Sequence, residues 1–301
     1  MNLTSQYIVN PKSGHAYNTS LATYKSIHHS SAKLRLGDDR QILNERIKPH
    51  RKIEIKVDDI SFVMICCPRG KFTMGSDIEE YRIKKPFLLG ETEVTQELFE
   101  KVMGYNPSEF QGEGYSDSNK RPVEQVTWYD AVMFCNKLSE ICKKKPYYHI
   151  SNVGYGSGLH KKNITKSTIT INPHANGFRL PFEKEWVYAA KAGTDNQWAG
   201  TNDKNKVGDV AWFRDNSEIN GESQTHHVKG KRPNEWGFYD MSGNVYEWCW
   251  EVSENYPAFR VARGGSWCND ASSLHPADRG SISPVTHSGI LGFRVSASLF
   301  N

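Results

Sequence analysis

No stretch of this chain reaches the roughly 18 consecutive apolar residues that a membrane-spanning helix needs, so no transmembrane segment is expected in its 301 residues. The first residues, MNLTSQYIVNPKSGHAYNTS, lack a basic region followed by an apolar run and therefore do not form a signal peptide. Two situations fit that absence: the protein stays in the cytoplasm, or the sequence starts after a removed export signal. No basic stripe is present either. The net charge is +4, and the positive residues are scattered apart from Lys143–Lys145 and Lys161–Lys162. A nucleic-acid partner is therefore not expected, and the lysine run reads as a solvated helix end. No repeat of 20–50 residues is visible, which excludes solenoids and propellers. Cysteine is scarce for a stapled fold. The six residues Cys66, Cys67, Cys135, Cys142, Cys249 and Cys268 include no C-x-x-C pair, and a chain of this length does not need disulfides to fold. Most of them read as small buried hydrophobes.

What is present is ample material for a core. Hydrophobic residues make up 37% of the chain and aromatics 12%, with eight tryptophans and fourteen tyrosines. The N–H and O–H groups of those rings require partners or water. Residues 1–51 are polar, without sustained periodicity, and read as an N-terminal extension; residues 52–301 read as one domain. IEIKV and SFVMICC are strand-like, and Cys66 and Cys67 must then face opposite sides. PRGKFTMGS supplies a turn and a further strand, and YYHIS and STITINP supply short β-rich pieces. A first helix runs from Thr95, as N-cap, to about Val102, with Gly104 just beyond. A second follows Thr127, whose capping box with Asp130 opens an apolar stripe of Trp128, Ala131, Cys135, Leu138 and Cys142. A third lies in FEKEWVYAAKAG, with Gly193 closing it. After it the chain is loop-rich, with recurring Gly, Asn, Trp and Pro, as in a fold whose loops are themselves packed.

Seven stretches occur in a recognisable order between residues 55 and 299: FVMICCPRGKFTMGS, LGETEVTQELFEKVMGYNPSEF, RPVEQVTWYDAVMFCNKLS, NGFRLPFEKEWVYAAKAG, GFYDMSGNVYEWCWE, RVARGGSW and GFRV. Together they resemble the formylglycine-generating enzyme (sulfatase-modifying factor) family. That resemblance implies an α+β, C-type-lectin-like fold of small antiparallel sheets, two or three helices and long packed loops. One departure stands at Leu180-Pro181-Phe182-Glu183, where relatives carry a Thr as the helix cap and this chain carries Phe182. The loss of a side-chain cap costs about 1 kcal/mol.

The stretch GGSWCNDASSLHPADRGSISPVTHSGILGFR, residues 264–294, carries the functional question. Oxidising members of the family hold copper between two cysteines after the GGS-aromatic motif, two thiolates being a soft pair that favours Cu(I). Here Cys268 follows Trp267 directly, one position early; Leu274 stands where relatives carry the second cysteine. No copper is expected, and a catalytic role is damaged at its chemical centre. The sulfoxide-synthase branch adds a His-rich iron-binding domain, for which residues 1–51 are too short; His28, His29 and His50 read as solvated.

From Cys268 to Leu291 the chain contains no Lys, Glu, Gln, Met or aromatic residue, while Gly264, Gly265, Ser266, Trp267, Ala277, Arg279, Pro284, Gly292, Phe293 and Arg294 keep the family pattern. This resembles the variable proteins of diversity-generating retroelements. In these, error-prone copying of template adenines converts Asn codons of the AAY type into a restricted set that cannot encode Lys, Glu, Gln, Met or Trp. The resemblance implies a non-enzymatic display protein whose 268–290 segment varies to bind different ligands, most plainly proteins. The displayed set would be Cys268, Asn269, Asp270, Ser273, Leu274, His275, Asp278, Ile282, Thr286, His287, Ser288 and Ile290. A metal site built from His275 and His287, twelve residues apart on a loop, is not favoured. The protein is expected to be a monomer, and if the resemblance holds, a lipid-anchored precursor exported to the cell surface. The alternative function is a copper-dependent formylglycine-generating oxidase, or a degenerate form of one, acting on a cysteine of a target protein. A further alternative is a fixed scaffold role without catalysis.

Finally, Asp240 to Glu247 (DMSGNVYE) matches the family segment that holds a structural Ca2+. The resemblance assigns the Asp240 side chain, the Gly243 and Val245 carbonyls and the Glu247 side chain as oxygen ligands, as a hard cation prefers. The bland alternative is a turn at Gly243-Asn244 with Glu247 paired to an arginine.

Overall fold

The computed structural model describes residues 49–74, 80–115, 117–158 and 161–299, together with the backbone of four short strand segments before residue 49. The expectations for His28, His29 and most of residues 1–51 lie outside the described residues. The first sheet is built from β1 (Lys52–Val57), β2 (Ile60–Cys67) and β5 (Phe87–Gly90), with a hairpin of β3 (Gly70–Thr73) and β4 (Glu80–Ile83) inserted between the last two. β1, β2 and β5 pair antiparallel in the order β1-β2-β5. The strand period puts Cys66 and Cys67 on opposite faces, as expected from the sequence. Cys66 joins one apolar cluster with Met64, and Cys67 a second with Ile65. This sheet is therefore covered on both faces, and it separates the two main cores.

Helix α1 (Gln96–Met103) starts at Thr95, whose Oγ1 accepts from the Leu98 N–H, and ends at Gly104 with φ of 80°. Helix α2 (Trp128–Ile141) carries the anticipated capping box: Asp130 N–H donates to Thr127 Oγ1 at 3.1 Å and Thr127 N–H to Asp130 Oδ2 at 2.9 Å. Its stripe of Trp128, Ala131, Cys135, Leu138 and Cys142 is wholly buried. The lysines after it lie at the helix end, with Lys143 and Lys145 exposed. A long hairpin, β6 (Tyr148–Tyr155) with β7 (Ile164–Ile171), packs beside α2. β8 (Phe178–Arg179) leads into helix α3 (Glu183–Lys191).

The capless start of α3 is compensated from a distance. Glu185 accepts the Phe182 N–H at 3.0 Å, and Glu251, from a strand 68 residues on, accepts the Glu183 N–H at 2.7 Å. At the other end Ala192 itself takes the left-handed conformation with Gly193 behind it, so the stop sits one residue earlier than the glycine suggested. A single turn, α4 (Val207–Val210), and the hairpin β9 (Glu218–Ile219) with β10 (Glu222–Ser223) break the long loop region.

The second sheet holds β11 (Tyr246–Val252), β12 (Arg260–Arg263), β13 (Arg279–Ile282) and β14 (Leu291–Gly292) in the order β13-β12-β11-β14, with only β11 and β14 parallel. The last strand, β15 (Ser296–Ser298), returns to the first sheet between β5 and β8. The architecture is thus α+β, with three helices of eight residues or more among the described residues, small sheets and packed loops, as the sequence implied. Among the described residues no helix is long and apolar enough to cross a membrane.

One feature departs from sequence expectation. His50, read as solvated, lies 4.5 Å from the Trp236 ring, and burial lowers its pKa. As the sequence required, the N–H groups of Trp128 and Trp248 reach partners, here the distant main-chain carbonyls of Cys249 and Val126, whereas Trp212 Nε1 is buried without one. The many aromatics therefore stitch loops together rather than simply filling space.

Candidate binding face on the C-terminal segment

The segment from 264 to 294 leaves β12, runs over the surface, contributes β13 and returns to the core at β14. Gly264 and Gly265 both have positive φ, and a Cβ on Gly265 would lie 2.7 Å from the Ser273 carbonyl and 2.5 Å from Leu274 Cδ2. Only glycine allows this close closure of the loop on itself.

From there the segment is gripped mainly by its carbonyl oxygens. Ser217 Oγ donates to Trp267 O at 2.8 Å, Arg214 Nε to Cys268 O at 3.1 Å, and Trp198 Nε1 to Ala271 O at 2.7 Å. Ser242 Oγ donates to Leu274 O at 2.8 Å. The buried Arg263 guanidinium donates to the carbonyls of Pro276, Ala277 and Asp278 while pairing with Glu183. Farther on, β13 is held by the β12 ladder, and main-chain N–H groups of Trp128, Gln125 and Tyr246 donate to Pro284, Ser288 and Ile290. Trp267 Nε1 closes the loop on Gly289 O at 2.9 Å. Apart from the Trp267 indole bond, none of these bonds depends on which side chain the segment carries.

Most side chains of the expected display set lie at the surface. Asp270 is exposed; Cys268, Asn269, Ser273, His275, Asp278, Ile282, Thr286, His287, Ser288 and Ile290 are partly exposed. Leu274 is the correction. It has no exposed surface and packs among Trp198, Val207, Val210, Ala211 and Phe213; it anchors the segment and cannot be displayed. Three others face outward but also brace the loop. Asn269 Oδ1 accepts from Ser266 N and Oγ, Asp270 pairs with Arg214, and His287 Nδ1 meets Gln125 Oε1 at 3.1 Å. The His275 ring sits against Trp198, with centroids 5.1 Å apart, and its Nε2 has no hydrogen-bond partner. Trp267 itself is half-buried, edge-on to Phe110.

Sequence reasoning missed the fixed residues that share this face. Tyr246, half-buried, has its phenol pKa raised by burial and then by the charges of Asp278 and Cys268. Arg214, Trp198 and Ser217 were missed because they lie 50 or more residues away in sequence. No local pattern marks them.

The thiol chemistry follows from burial. Cys66, Cys67, Cys135, Cys142 and Cys249 are buried, and desolvation raises every one of their pKa values, to about 11 for Cys66 and Cys142. Cys268 alone is partly exposed, with its sulfur 3.4 Å from Ser266 Oγ. Leu274, which the resemblance sets where many relatives carry a second cysteine, is fully buried.

The expected calcium loop contains Asp240, Gly243 and Asn244, all at positive φ, and a Cβ on Gly243 would fall 2.0 Å from Trp212 O. Glu247 does not fit the expected role of a ligand. Its carboxylate accepts from Arg294 Nε and Nη2 at 2.6 Å each and from Trp186 Nε1 at 2.7 Å, with both ions fully buried. Asp240 does fit: Oδ1 is buried without a partner, and so are both oxygens of Glu93, a residue the sequence did not single out. Burial raises the Asp240 pKa to about 6, and burial followed by the Asp240 charge raises that of Glu93. Among the described residues no three His, Cys, Asp or Glu side chains form a metal-gripping cluster, so any ion here would rely on main-chain carbonyls as well.

A fold of packed loops on two small sheets, carrying the GGSW and GFR frame around an outward segment, defines a class. Residues 58–299 match the sulfatase-modifying factor enzyme 1-like domain, and the chain belongs to that family. Within it, the chain is similar to Treponema denticola variable protein 1, with 36% identity, a TM-score of 0.71, and coverage of 81% of this chain and 98% of that one. It is also 40% identical over 207 residues to the chaperone protein LppX of Paenibacillus barcinonensis, covering 62% of this chain and 71% of that protein. To the inactive C-alpha-formylglycine-generating enzyme 2 of Mus musculus it is 26% identical over 275 residues, which span 78% of this chain and 85% of the mouse protein.

Proposed function

We propose that this protein is a non-enzymatic binding protein whose 268–290 segment presents its outward side chains, Leu274 not among them, as a diversified face for varied protein ligands. The observation that carries this function is the main-chain grip on the segment. Scaffold residues hold its carbonyls, so outward side chains can change while the backbone path stays fixed. Surface substitutions of that kind usually shift stability by less than about 0.5 kcal/mol, and loops on a rigid frame are where binding residues concentrate. The likeness to a variable protein and to an inactive formylglycine-generating enzyme supports the same conclusion, as does the burial of Leu274 at the second thiolate position. A binding face of this kind serves where its ligands are, and we place the protein at the cell surface as an exported lipoprotein. The test is genomic: DNA beside the gene is expected to hold a reverse transcriptase and a near-copy of the last ~100 bases that differs only at adenines. A locus without that repeat removes diversification from the proposal.

We also propose a structural divalent cation at Asp240, with Glu93 in the place first given to Glu247 and the Gly243 and Val245 carbonyls completing an oxygen set. It would order the loop beneath the face and take no part in chemistry. A chelator is expected to lower the melting temperature at pH 7.5, with Ca2+ restoring it, since an ion bound only to the folded state stabilises by mass action. An unchanged melting temperature would remove the ion.

A further inference from the structure

Beside the diversified face lies a cleft of about 960 Å3. One wall belongs to the frame and is formed by helix α3, Tyr81 and residues 195–197; the other is the stretch His275–Arg279 of the display segment. Its size is near the top of the roughly 300–1,000 Å3 range of ligand sites. The lining is polar and charged, which suits a hydrogen-bonding chain better than an apolar small molecule.

The charges in this lining nearly cancel among themselves. Arg263 pairs with Glu183, Arg279 with Glu183 and Glu254, and Lys191 with Asp195. Two groups are left over among the described residues. Lys184 has no carboxylate partner; its ammonium rests 4.5 Å from the centre of the Tyr81 ring. Asp278 has no cation on its carboxylate. The first belongs to the constant wall and the second to the changeable one.

Building on the display function above, we propose that the cleft takes an extended segment of the protein ligand. An acidic side chain of that segment meets Lys184, and its other side chains are read by the changeable positions 275 and 278 of the opposite wall. Lys184 and Tyr81 thereby give every ligand a common docking contact, while the opposite wall selects among them. A constant contact also limits how much of the affinity the changing residues must supply.

The probe is a random heptapeptide library displayed on phage and panned against the immobilised full chain. Recovered peptides are expected to be enriched in Asp and Glu over the input, and the best synthetic peptide is expected to bind K184E at least about tenfold more weakly, because attraction becomes repulsion in a partly desolvated cleft. K184R is expected to keep binding. K184E leaves the fold intact, since an exposed acidic residue in the first turn of a helix is favoured by the helix dipole. D278K is expected to change which residues accompany the acid in a repeat selection. Recovery of no peptides, peptides without acidic enrichment, or equal binding to K184E each overturns the proposal. These failures are distinct from failure of the display function: a template repeat with no Lys184 effect leaves diversification standing, and a Lys184 effect without a repeat leaves a fixed peptide cleft.

Discussion

Leu274→Ala is expected to lower the free energy of unfolding by about 2–5 kcal/mol, the usual cost of emptying a fully buried leucine site. Thr286→Asn and Asp278→Asn, in the same segment, are expected to change it by less than about 0.5 kcal/mol. The contrast follows from position. Leu274 is enclosed by Trp198, Val207, Val210, Ala211 and Phe213, whereas Thr286 and Asp278 lie at the surface with no side-chain hydrogen bond to lose. Leu274→Asp is expected to be worse than Ala, because a carboxylate there has no partner. Urea denaturation of the variants measures this directly. A Leu274 variant as stable as the parent would mean that the segment is not anchored at this point. If the segment is diversified as proposed, sibling sequences are expected to keep position 274 apolar while 273 and 278 vary.

The second large effect is at Arg263. Arg263→Met is expected to cost about 3–5 kcal/mol, the scale for breaking a buried ion pair by removing one partner. Glu183 keeps only Arg279, and the carbonyls of Pro276, Ala277 and Asp278 lose their shared donor. Arg263→Lys is expected to recover little, since an ammonium cannot reproduce the fork that spans the carboxylate and three carbonyls. Loss of global stability alone would not distinguish a clamp from an ordinary core residue. Hydrogen exchange does: protection of residues 275–280 is expected to fall much more than that of α2. Uniform loss across both regions would mean that Arg263 does not hold the display segment in particular.

Much of the frame was legible in the sequence because it is set by local rules. The Thr127-Asp130 box involves two residues three apart, and the Thr95 cap a hydroxyl and an N–H three residues on. The opposite facing of Cys66 and Cys67 follows from strand geometry alone. Less was legible where distant groups decide. Phe182 signalled a missing cap, but Glu251 supplies the acceptor. Glu247 looked like an ion ligand until Arg294 was found on both its oxygens. Glu93 carried no local signal at all.

By itself, then, the sequence determined the family, the three main helices and the first strands, the absence of a second thiol after Cys268, and the restricted residue set from 268 to 291, but not the second sheet, whose strands lie in what reads as loop. Periodicity, caps and composition act over a few residues and survive without a folded partner. Only the tertiary structure decided that Leu274 points inward while its neighbours point outward, and that Ser217, Arg214, Trp198, Ser242 and Arg263 converge on the carbonyls of one loop. Those outcomes depend on groups brought together from 13 to 73 positions apart by core packing. Such convergence is a property of the closed fold, because a carbonyl accepts from whichever donor the fold places within about 3 Å.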